Sequence, residues 1–166
     1  MAIFLHALFY GLVLSFGLSS LILLTLYINP EMWLHDAPSE VQALVGPMSA
    51  RARRQRAFWS VPFFLLLFGV LALSIMRLEA VVGTLTFTAV FVNVVVMLMT
   101  FNLVDLIIID WLIVAYWRPQ FIMLPGVNPA MWAENEYLFH FKGFLKGSVG
   151  IIIASPILAA ITMLFV

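Results

Sequence analysis

The chain contains no cysteine, which excludes disulfides, thiolate zinc sites, iron–sulfur ligation and thiol redox relays. Charge is almost as scarce. Only 10% of the 166 residues are Asp, Glu, Lys or Arg, against roughly a quarter in soluble domains, so water is not the main solvent of this sequence. The eight basic and eight acidic residues cancel, so net charge points to no nucleic-acid partner, and none is expected. Walker A, GxSxG and HExxH patterns are absent. Three histidines are too few for a histidine-rich di-iron lipid oxidase. His6 and His140 fall near opposite membrane edges, which argues against a bis-histidine haem. No cofactor is expected.

What the chain has instead is hydrocarbon: 64% hydrophobic residues and a mean hydropathy of +1.13. Four runs, about 3–28, 58–76, 85–117 and 141–166, have the length of about 20 residues that a bilayer core requires of a helix. Lipid offers no partners to backbone groups, so these runs are helices. The expected fold is all-α, a polytopic membrane protein with a four-helix transmembrane bundle, in one membrane domain over residues 1–166. The first run lacks a basic n-region and a cleavage site and is too long for a signal peptide, so it reads as a retained span. The third run is longer than a crossing needs and should tilt, kink or project.

Basic residues set the expected orientation. Arg51, Arg53, Arg54 and Arg56 lie in the first loop (29–57), and Arg118, Lys142 and Lys146 in or beside the third (118–140); Arg77 alone lies in the second. The positive-inside rule then places both long loops in the cytoplasm and both termini outside. The RARRQR cluster reads as a topology determinant that also contacts anionic lipid. The first loop is broken by Pro30, Pro38 and Pro47, with a short helix expected from Ser39. The third loop is apolar and carries Phe121, Trp132 and Tyr137, aromatics suited to the interfacial zone. Small residues form stripes on span one (Gly11, Ser15, Ser19) and span four (Gly143, Gly147, Gly150, Ala154). They suit helix packing within the chain or in a homodimer.

The candidate site is polar and intramembrane. Asp105 and Asp110 sit in the third run, where an ionisable group costs at least about 2.5–3.5 kcal/mol and usually faces a bundle interior or polar cavity. At about 100° per residue, Asn102, Asp105 and Asp110 span an arc of about 140°. Counting 1.5 Å per residue from Arg118 places Asp110 about 12 Å and Asp105 about 20 Å deep, the latter near mid-membrane. Lys146 lies about 9 Å deep, level with Asp110, where it either pairs with that carboxylate or snorkels to the headgroups. His140 falls on the glycine stripe of span four and is better placed to meet Asp110 or the first loop. His35, Asp36 and Glu40, with Glu134, Glu136 or His140, form at most a weak metal candidate, because no ligand pair has helical spacing; no metal is assigned.

The segments FNLVDLIIIDW, PQFIMLPG and EYLFHFKGFLKG resemble a group of small bacterial four-span membrane proteins. The resemblance runs through Asn102, Asp105, Asp110, Trp111, Pro125, Gly126, Tyr137, His140, Lys142 and Gly143, over roughly residues 100–150. It departs at Val127-Asn128, where that group has an acidic step. It implies a four-helix fold in a bacterial inner membrane and carries no activity with it. The functional expectation is a small transport or proton-handling protein using Asp105 and Asp110, supported by Asn102, His140 and Lys146. The alternatives are an accessory subunit that binds a membrane-protein partner and, further off, a lipid-modifying enzyme.

Overall fold

Each apolar run does form a long helix in the computed structural model, which describes residues 1–124, 126–127 and 136–165. The membrane-length helices are α1 (Ala2–Ile28), α3 (Ala50–Val82), α4 (Phe87–Trp117) and α5 (Glu136–Met163); a short α2 (Ser39–Val45) lies in the first loop. The protein is an all-α membrane bundle with four helices long and apolar enough to cross. Trp132 and Glu134, and Pro125 of the resemblance, lie outside the described residues.

Helix ends follow from local chemistry. Asn29-Pro30 stops α1, and the Asn29 side chain accepts from the Glu31 N–H (3.1 Å) to start a tight 3₁₀ stretch, Pro30–Asp36. Ser49 caps α3 by accepting from the Ala52 N–H at 3.1 Å, a standard way to satisfy a free helical donor. The helix therefore begins eight residues before position 58, and the four first-loop arginines sit on its opening turns rather than in irregular chain. Thr86 caps α4 in the same way through the Ala89 N–H at 3.2 Å.

The surplus length of the third run is absorbed by a change of helix type. From Asp105 to Trp117 the backbone is π-helical over 13 residues, closed by the Arg118 N–H donating to the Ile113 carbonyl five residues back (2.8 Å). Such wide turns are rare and concentrate at functional sites. Arg118 ends the segment in the left-handed region, with φ of 50°.

Packing places α4 at the centre, against α1, α3 and α5. A β-carbon on Gly11 would lie 2.7 Å from Thr100 Cβ and 3.0 Å from the Met97 carbonyl, so the α1 stripe of small residues is used inside the chain. Ser15 is buried beside it and donates to the Gly11 carbonyl. On α5 the packed face differs from the expected stripe. Gly147 lies under Asn102, and Ser148, Ser155 and Ala159 are buried, whereas Gly143, Gly150 and Ala154 are exposed. The half of the bundle nearer the α3–α4 turn is filled by Leu14, Leu18, Leu78, Val90, Val94 and Met97, all fully buried. A polar knot crosses it: His6 Nε2 donates to the Ser74 carbonyl (3.0 Å), and Asn93 Nδ2 donates to Ser74 Oγ (3.0 Å).

At the arginine-bearing end, the first loop folds into a cap. Met32, Leu34, Ala37 and Val41 pack with Met48 and with Leu124 of the third loop. Trp33 Nε1 donates to Thr25 Oγ1 (3.0 Å), fixing the cap to α1, and Arg56 donates to the Met32 carbonyl (3.0 Å), fixing it to α3. The cap is thus a built element.

Candidate functional site

Between the cap, α1, the π segment of α4 and the start of α5 lies a cavity of about 350 Å³. Its polar lining comes from three separate stretches of chain: His35 and Asp36 from the cap, Asn102, Asp105 and Asp110 from α4, and His140 from α5. The chain's only three aspartates and two of its three histidines therefore border one space. Apolar walls such as Leu26, Leu106, Ile109 and Phe144 surround them, so a charge entering it meets little competition from water.

The π segment explains why both membrane aspartates reach the same space. Asp105 and Asp110 are five residues apart. In an α-helix that separation is about 140° around the axis, whereas i→i+5 turns bring residues five apart nearly above one another. Asp105 borders a cavity whose lining also includes the exposed His35 and Asp36.

Asp110 is paired with His140, Nδ1 to Oδ1 at 3.1 Å, with the side chains 23% and 10% exposed respectively. The Lys146 alternative is thereby corrected. Lys146 is exposed on α5 and is not among the cavity's lining residues; His140, one turn and a half nearer the cap, occupies the position facing Asp110. A histidine held by a carboxylate at Nδ1 presents, when neutral, an unprotonated Nε2. Here Nε2 is buried and has no hydrogen-bond partner among the described residues. Asn102 donates from Nδ2 to the Phe144 carbonyl (3.1 Å) and to Ser148 Oγ (3.0 Å). It fixes α5 against α4 at the level of the carboxylates.

Asp36 sits at the rim, 3.4 Å from the Arg56 guanidinium. Burial of its cavity side pushes its carboxyl above the ordinary value of 3.8; Arg56 and His35 pull the other way, and Asp110 adds to the rise. Its outer side remains open, at 54% exposure. The metal candidate does not assemble. Glu136 is fully buried and turned to Arg118 (2.8 Å), Glu40 is exposed, and no group of three acidic or histidine side chains among the described residues is arranged to hold an ion.

Sequence reasoning singled out Asn102, Asp105, Asp110 and His140, which the structure brings together, and Lys146, which it does not. His35 and Asp36, which line the same cavity, stand out in the sequence only as cytoplasmic-face candidates for a metal or a lipid-modifying site. Asn93, a fully buried amide on the same helix as the aspartates, was missed.

These features belong to a multi-pass α-helical membrane protein with a cavity lined by carboxylates and histidines. No protein-family model, curated protein or solved structure matches the chain.

Proposed function

We propose that the protein is a small proton-handling membrane protein whose cavity takes up and releases protons on one face of the bilayer. Asp105 is the deepest acceptor, the Asp110–His140 pair is the relay, and Asp36 with His35 forms the exchange point at the rim. The observation that carries this reading is the convergence of all three aspartates and two histidines, from three chain segments, on one cavity. Intramembrane ionisable groups are costly and mark proton or ion pathways where they occur. The wide π turns that align the two carboxylates support the same reading.

The filled half of the bundle bears on the type of handling. Leu14, Leu18, Val94 and Met97 close the space on the side away from the cap, which favours uptake and release from one side over an open conduit. The positive-inside rule puts that side in the cytoplasm of a bacterial inner membrane, with both termini across it. A second reading, acid–base chemistry on a lipid-soluble substrate, draws on the Asp110–His140 pair, since a carboxylate-oriented imidazole is a general base in many enzymes.

The test is proton uptake after a pH jump, followed with a pH-sensitive dye on protein purified in detergent. Wild-type protein is expected to exchange more protons per chain across the neutral range than the Asp105→Asn, Asp110→Asn double variant of equal helicity and monodispersity. Equal exchange by the two folded proteins would overturn the proposal.

A further inference from the structure

A second space of about 300 Å³ lies on the other side of Trp33, between α1 and α3. One end is apolar, formed by Leu21, Phe63 and the half-exposed Phe64, and the end nearer the arginine cluster carries Trp59, Ser60 and Arg56. Trp59 follows the arginine cluster and precedes the apolar body of α3, the level at which tryptophan sits in a membrane interface. The groove is thus graded from tail-like to headgroup-like along the direction a lipid would lie. Asp36, Trp33 and Ile22 line both this groove and the carboxylate cavity, so Asp36 is the acid reached from either side.

The charges at this junction select one kind of headgroup. Arg56 and Asp36 form a long, half-exposed pair, 3.4 Å apart with 42% and 54% of their side chains accessible. A purely anionic headgroup would satisfy Arg56 but leave Asp36 facing a like charge. A zwitterion with a phosphate and a primary ammonium satisfies both, because the phosphate takes the Arg56 nitrogen that now faces Asp36, the other terminal nitrogen staying on the Met32 carbonyl, and the ammonium takes Asp36. Neither protein charge loses a partner in that exchange, which matters because stranding a partly buried charge is what makes breaking such pairs costly.

We propose that the α1–α3 groove is a binding site for a bilayer phospholipid with a primary-amine headgroup, acyl chain against Phe63 and Phe64, phosphate on Arg56 and ammonium on Asp36. The bound headgroup sits beside Trp33 at the rim. The site shares Asp36 with the proton-handling reading but does not depend on the deep carboxylates. Asp105→Asn, which is expected to reduce proton exchange, leaves the lipid preference unchanged, so either can fail without the other.

The experiment is native mass spectrometry of the full chain released from detergent with phosphatidylethanolamine, phosphatidylglycerol or phosphatidylcholine added in turn. Wild-type protein is expected to retain the ethanolamine lipid about tenfold over the other two, the effect of one charge-assisted contact. Asp36→Asn should abolish that preference by lowering ethanolamine-lipid retention and raising that of the glycerol lipid, which no longer meets a like charge; retained glycerol lipid also shows that the variant is folded. Ser60→Trp, which fills the groove without touching either charge, should lower retention of all three lipids. Glycerol lipid retained as well as ethanolamine lipid by the wild type, an Asp36→Asn preference like the wild type's, or unchanged retention by Ser60→Trp would each overturn the proposal.

Discussion

His140 and Asp110 are the two residues on which the site's chemistry turns, because each fixes what the other can do. The carboxylate holds the imidazole by Nδ1 at 3.1 Å, leaving Nε2 as the free basic atom. His140→Ala should lower stability by about 1.5–3 kcal/mol, the range for a hydrogen bond to a charged group, as read by thermal unfolding in detergent. Unchanged stability would mean that the pair is not maintained in the membrane. Asp36 behaves differently. Its carboxyl is pushed above 3.8, chiefly by burial, so the charged form detracts from the fold at neutral pH. That penalty disappears as pH falls through the raised value. Asp36→Asn should therefore be at least as stable as wild type at neutral pH and lose any advantage in acid, a small effect for a half-exposed group. Lower stability of the variant at neutral pH would contradict the assignment. The membrane aspartates were legible from sequence because a charge in hydrocarbon is conspicuous. Asp36 and His35 were not, because a polar pair in a loop costs nothing to place there. Lys146 could be read either way, because a long side chain near a helix end can reach protein or headgroups, and spacing alone does not decide between them.

At the scale of helices, two glycines on α5 separate packing from function. A β-carbon on Gly147 would lie 2.7 Å from Asn102 Oδ1, whereas one on Gly143, which borders the cavity, would meet nothing within 4 Å. Gly147→Ala should destabilise the bundle by about 1–3 kcal/mol, as overpacking does, and Gly143→Ala should leave stability unchanged; unfolding midpoints of the two variants check this. Equal effects would place the α4–α5 contact elsewhere. Span number and approximate limits could be read from hydropathy, since about 20 apolar residues in a row have few other fates. The start of α3 could not, because capping by Ser49 extends a helix through arginines that hydropathy counts as loop. The π segment was also invisible, since no proline or glycine marks it and a wheel drawn at α spacing assumes it away. That assumption spread the two aspartates over a broad face instead of stacking them.

For the molecule as a whole, polarity is divided between the two ends of the bundle. One half is closed by leucine, valine and methionine with a single His6–Ser74–Asn93 knot, and the other opens into a capped, acid-lined space beside the arginines. The cap is the part of the fold that composition foresaw least. Its prolines read as breaks, yet they punctuate a small core of Met32, Leu34, Val41 and Met48 that roofs the cavity. One-sided access to Asp105 is the claim that joins fold to function, and the absence of native cysteine makes it directly testable. Asp105→Cys, reconstituted in oriented vesicles and exposed to a small cationic thiol reagent from each side, should be modified from the side bearing the arginines and spared from the other. Modification from the opposite side, or from neither, would contradict the account.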